Sequence, residues 1–137
     1  GNGSSNTINI TQSSTNTSAT NYTDLTVNGN NNSVNLSQQS TGGTKGLFAN
    51  VSGNNNTAIV QQKDGGDHYL DLKLSDGHQS AIVLQQGSAS HMARIDLSGQ
   101  PSSVNLTQQG STQQFFTIQQ TCATAGGCAA ISVTQGQ

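Results

Sequence analysis

The chain has 137 residues, a formal net charge of −2, 7% charged and 4% aromatic residues, and no Trp. Asn, Gln, Ser and Thr together supply 66 of the residues. Four Lys or Arg argue against nucleic acid, whose phosphates demand a basic face. No apolar run approaches the roughly 18–20 residues that cross a bilayer. The low charge also separates this polar chain from the charge-rich composition of disordered proteins.

Taken from the N-terminus, the first patterned segment is 6–12, NTINITQ, where Ile8 and Ile10 alternate between Asn6 and Gln12. Alternation with a period of two is the signature of a β-strand with one face inward. Segment 21–27 alternates again, through Thr23, Leu25 and Val27. Segment 32–38 returns to the first pattern with Asn32, Val34, Leu36 and Gln38, and 45–51 to the second with Leu47, Ala49 and Val51. The two kinds then keep alternating. Asn56, Ala58, Val60 and Gln62 are followed by Leu70, Leu72 and Leu74; Gln79, Ala81, Val83 and Gln85 by Ala93, Ile95 and Leu97. Ser102, Val104, Leu106 and Gln108 precede Phe116, Ile118 and Gln120, and Ala129, Ile131, Val133 and Gln135 close the series. We call the Gln-ended kind A and the other B, giving six A and five B strands.

Gln12, Gln38, Gln62, Gln85, Gln108 and Gln135 are spaced by 26, 24, 23, 23 and 27 residues. A period of about 23 residues marks a repeat architecture. Gly29, Gly53, Gly77 and Gly99 with Pro101 lie between strands, supplying turn conformations. Two strands per repeat joined by tight turns predict an all-β, flattened β-solenoid of cross-β, amyloid-like type, with about five and a half rungs. Equivalent residues then stack in columns. The six anchor Gln, with Asn6, Asn32, Asn56 and Gln79, form the expected core amide ladder. Ile10, Leu36, Val60, Val83, Leu106 and Val133 on the A side, and Leu25, Leu72, Ile95 and Ile118 on the B side, form the core apolar ladder. Stacked amides satisfy one another, so their burial leaves no unpaired polar group.

The pattern [N/Q/S]-x-[A/V/I]-x-[L/V/I]-x-Q, preceded by x-[L/I]-x-[V/L]-x-G, resembles the curlin repeat of bacterial curli fibre subunits. The nearest stretch is 72–87, LKLSDGHQSAIVLQQG. The resemblance implies a secreted, self-assembling amyloid fibre of a biofilm matrix, exported through a dedicated outer-membrane pore and started by a nucleator protein. The opening GNGSSNTINI lacks a basic start and an apolar stretch, so no signal peptide is visible. The chain divides into an N-terminal strand and flexible hinge (1–20), a repeat solenoid (21–120), and a Cys-bearing loop with the last strand (121–137). Cys122 and Cys128, across the Gly-rich TCATAGGCAA, are expected to pair in an oxidising compartment.

Little here points to catalysis, and no catalytic residue, metal site or cofactor is expected. His68 and His91 share a column with Asn21, Lys45 and Gln114, and are expected at a solvated column end rather than around a Cu²⁺ or Zn²⁺ ion. Outward B-side positions read Tyr22, Gly46, Tyr69, Met92 and Phe115, an apolar stripe available for contact with a neighbour. Asp71 should stack beside Arg94, and Lys73 beside Asp96, fixing register.

The expected function is structural: end-to-end self-assembly, with the chain itself as partner, for adhesion and matrix cohesion outside the cell. Neither nucleic acid nor membrane insertion is expected. The end strands would make the subunit contacts through Ile8 and Ile10 at one end and Ile131 and Val133 at the other. Six A strands against five B strands leave the last A strand without a B partner, and 6–12 of a neighbour is the candidate donor for that place. The alternatives are a monomeric solenoid adhesin or carbohydrate- or ice-binding module, and a minor nucleator or anchor subunit.

Overall fold

The computed structural model describes residues 2–136. The strands are β1 (Thr7–Ser14), β2 (Ser33–Ser40), β3 (Thr57–Asp64), β4 (His68–Tyr69), β5 (Ser80–Gln86), β6 (His91–Ile95), β7 (Ser98–Gly99), β8 (Ser103–Gln109), β9 (Gln114–Ile118), β10 (Thr121–Cys122) and β11 (Ile131–Gly136). They build a parallel β-solenoid of about six turns of ~23 residues. One sheet has the order β1-β2-β3-β5-β8-β11 and holds all six A strands. A second, β4-β6-β9, faces it, and the pair β10-β7 borders the last turn.

Register follows the columns. Ile10 pairs with Leu36, Leu36 with Val60, Val60 with Val83, Val83 with Leu106, and Leu106 with Val133. Because the side-chain period is two, a slip of one residue would turn each inward column to solvent. Gln61 faces Leu84 across β3 and β5, both directed away from the core. Cysteines at 61 and 84 should therefore crosslink readily, whereas a cysteine at 83, which points inward, should not join 61. Preferential joining of 61 to 83 would contradict the register.

The A and B strands are not level with each other. Gln38 Nε2 donates to Tyr22 O of the first B segment and to Gly46 O of the second, both at 2.6 Å. Gln85 Nε2 bridges Tyr69 O and His91 O in the same way, at 2.8 and 3.2 Å. At the other end of the A strands, Asn32 Nδ2 spans Asn28 O and Gly53 O. Each A strand thus sits half a rung between two B segments. Gly29 and Gly53 make the stacking of the turns possible. A Cβ on Gly29, whose φ is +74°, would meet Gly53 O at 1.8 Å.

Two expectations need correction. The first two B segments are not regular strands, and their ladder reduces to the single bridges Asn21–Lys45 and Lys45–His68. Phe48, Ala49, Asn50, Val51 and Ser52 all have positive φ, as do Leu72, Leu74 and Ser75 one rung on. Such conformations turn peptide groups out of a ladder. Alternation survives nonetheless, because Leu47, Ala49, Val51, Leu70, Leu72 and Leu74 are all buried. Hydrophobic burial holds these columns where hydrogen bonding does not.

The second correction concerns Ile10. It keeps its place in the ladder, yet it is 45% exposed, and Ile8 38%. Their column neighbours Val34 and Leu36 are buried. The half-rung stagger explains this, since within the described residues β1 has a B segment on only one of its two sides. Leu25, Ile118, Ile131 and Val133, near the two ends of the stack, are likewise only partly buried against the core.

Candidate assembly surfaces and a buried basic column

The amide ladder runs the length of the A sheet. Gln12 Nε2 donates to Gln38 Oε1 at 2.7 Å, Gln38 to Gln62 at 2.9 Å, and Gln62 to Gln85 at 2.8 Å. Gln85 continues to Gln108, and Gln108 to Gln135, each at 2.9 Å. A second ladder rises through the other end of the strands. Asn6 Oδ1 accepts from Asn32 N, Asn32 Oδ1 from Asn56 N, and Asn56 Oδ1 from Gln79 N. Ser102 Oγ closes it onto Gln79 Oε1 at 2.6 Å. The Gln ladder is directional, so Gln12 Oε1 at one end is left to accept and Gln135 Nε2 at the other has a hydrogen left to donate.

The outer edges of β1 and β11 are unpaired within residues 2–136. Neither TINITQSS nor ISVTQG carries a charge or a proline, the usual devices that blunt an edge. Ile8 and Ile10 lie at one edge and Ile131 and Val133 at the other. β1 is held by β2 of its own chain over eight residue pairs, Thr7–Ser33 through Ser14–Ser40.

The outer faces carry apolar stripes. Tyr22, Tyr69, Met92 and Phe115 are exposed on the B side, and Ile59 and Ile82 on the A side. Gly46 leaves a vacancy in the B-side stripe, and Phe48 enters it from the next outward column. Its ring centroid lies 5.6 Å from that of Tyr22 and 5.5 Å from that of Tyr69. The composition of the column, large and apolar except for one Gly, was the sequence signal for this crossing.

Of the two expected charge pairs, Arg94 Nε lies 3.6 Å from Asp71 Oδ2. The Lys73–Asp96 pair does not form among the described residues. Leu72 and Leu74, on either side of Lys73, have positive φ, and Asp96 Oδ2 instead accepts from Gln119 Nε2 at 3.5 Å. Cys122 and Cys128 form a disulfide. It closes the loop beside β10, where Gln100 N donates to Cys122 O and Cys128 N to Pro101 O.

The histidine column overturns the expectation of a solvated end. Lys45, His68 and His91 are all buried. The two imidazoles stack with centroids 5.0 Å apart and planes 2° from parallel. His68 Nε2 donates to Lys63 O at 2.7 Å, and His91 Nε2 to Gln86 O at 2.9 Å. The carbonyl acceptors place a proton on each Nε2, and neither Nδ1 has a hydrogen-bond partner among the described residues. Lys45 Nζ donates to Gly66 O. Burial lowers the Lys45 pKa below its ordinary value, against the opposing pull of the Asp67 and Asp64 carboxylates. Burial, helped by the neighbouring Lys45 charge, lowers that of His68 to about 4. A lysine and two histidines at the inward parity of successive rungs gave the sequence signal, outweighed there by their polarity.

No protein-family model, curated protein or solved structure matches the chain.

Proposed function

We propose that this chain is a secreted structural subunit that stacks end to end into an extracellular, curli-like amyloid fibre for matrix cohesion and surface adhesion. One observation carries the reading. The glutamine and apolar columns run unbroken to β1 and β11, where they meet uncharged, proline-free edges with unpaired backbone among the described residues. Such an edge is a template for another strand, and the strand that best matches these columns is the opposite edge of a second copy. The Cys122–Cys128 disulfide agrees with an oxidising, extracytoplasmic location. The resemblance of the repeat to curlin supplies the biological setting, including a dedicated secretion pore and a nucleator as partners. An alternative junction donates 6–12 to the neighbour, which requires β1 to leave β2 first.

The test is electron microscopy of the purified protein after incubation, together with thioflavin fluorescence followed at several concentrations. Unbranched fibres that form faster when seeded are the expected result. A protein that stays monomeric in sedimentation at every concentration contradicts the proposal.

A further inference from the structure

A groove of about 460 Å³ opens on the outer B face between the first and third B segments. Phe48 and Tyr69 line it, as do Asp24 and Asp71, with Thr26 and Asn50 beside them. The groove is a product of two irregularities. At Gly46 a Cβ would come 2.8 Å from Tyr69 Cδ2, so the missing side chain makes room for the crossing Phe48 ring. Beyond that ring, five successive non-glycine residues, Phe48–Ser52, hold positive φ and depart from the regular path of a strand. Backbone held in such sparsely populated conformations concentrates at binding sites.

The lining selects a chemistry. Phe48 and Tyr69 present two adjoining ring faces, their planes 57° apart, which suit flat, weakly polar C–H surfaces. Ionised carboxylates only accept hydrogen bonds, so the ligand must supply donors. Asp71 already has Arg94 at 3.6 Å, whereas Asp24 has no cationic partner within 4.0 Å among the described residues. The site therefore favours a positively charged donor. A pyranose ring carrying an ammonium group combines a C–H face, hydroxyl donors along its edge, and a cation. The groove is open to solvent, so one sugar of a longer polymer can reach it.

We propose that this groove binds a polysaccharide of amino sugars with free amines. The site lies within one chain and does not depend on assembly. Stacked subunits would each add one groove, giving the polymer many attachment points and a gain in avidity.

The experiment titrates a β-1,4-linked glucosamine hexamer into the 137-residue protein, read by calorimetry and by tyrosine fluorescence. The fully N-acetylated hexamer, a β-1,4-linked glucose hexamer and tetralysine serve as parallel ligands. The expected result is saturable binding of the glucosamine hexamer, about tenfold or more tighter than the other three. Asp24 is exposed and its side chain makes no hydrogen bond among the described residues, so Asp24→Asn leaves the fold intact while weakening binding about fivefold or more. Tyr69→Ala should weaken binding similarly, and Ile82→Ser, on the opposite sheet, should leave it unchanged. Absence of saturable binding overturns the proposal, as does parental affinity in both Asp24→Asn and Tyr69→Ala. Equal binding of the glucose hexamer removes the role of the amine, and equal binding of tetralysine shows that charge alone is read; either result overturns the assignment.

Discussion

Gln85→Leu is expected to destabilise the solenoid by roughly 2–6 kcal/mol, at about 1–3 kcal/mol for each of two partners left unsatisfied. Leu is close in volume, so a cavity is not the cause. Gln62 Nε2 loses its acceptor and Gln108 Oε1 its donor, both in a buried column. Tyr69 O and His91 O lose the amide that bridges them. Gln61→Leu is the control, because Gln61 is exposed on the same sheet and should shift stability by no more than about 0.5 kcal/mol. Urea unfolding followed by circular dichroism compares the two. Equal losses would show that the inward amide contributes no more than the outward one.

Acid should weaken the fold through His68. In the folded chain this imidazole stays neutral down to about pH 4, against an ordinary value of 6.5. Below pH 6.5 the unfolded chain binds a proton that the folded chain refuses, so stability falls as pH falls. The loss grows until the folded histidine also titrates and levels off below about pH 4, by which point it amounts to roughly 3 kcal/mol. The structural cause is local. A second proton on this ring would place a charge in a buried site, stacked on His91 and one rung from Lys45, with only the backbone of Lys63 and Asp67 to favour it. His68→Gln, which places there the residue type found at position 114 of the same column, should flatten the stability profile between pH 6.5 and 4. Identical acid losses in parent and variant would assign the effect elsewhere.

The A strands are legible in the sequence because two independent signals coincide at each. Hydrophobic alternation sets the face, and the repeated Gln sets the register. Gln62 and Gln85 could be placed in one column before any coordinates, since only stacking gives buried amides partners at a 23-residue spacing. The B segments offer only one of those signals. Leu47, Ala49 and Val51 alternate as a strand does, but alternation reports burial and not hydrogen bonding, so the irregular backbone of Phe48–Ser52 leaves no trace in it. The charge pairs show the same limit: Asp71 and Arg94 meet, whereas Lys73 and Asp96 share the spacing but not the backbone needed to meet. The exposure of Ile10 was hidden because the half-rung stagger is a relation between sheets, which a single-strand pattern does not encode.

The central claim is that the two edges of the A sheet join from chain to chain. Thr11 on β1 and Thr134 on β11 point outward at matching positions and stand at opposite edges of the six-stranded sheet, five strand spacings apart at about 4.8 Å each. That separation is far too great for a disulfide within one chain. A Thr11→Cys/Thr134→Cys chain, assembled and then mildly oxidised, should give a ladder of covalent dimers, trimers and longer species on a denaturing, non-reducing gel. Fibres whose chains remain monomeric on that gel, while cysteines at 61 and 84 crosslink normally, would contradict joining through these edges.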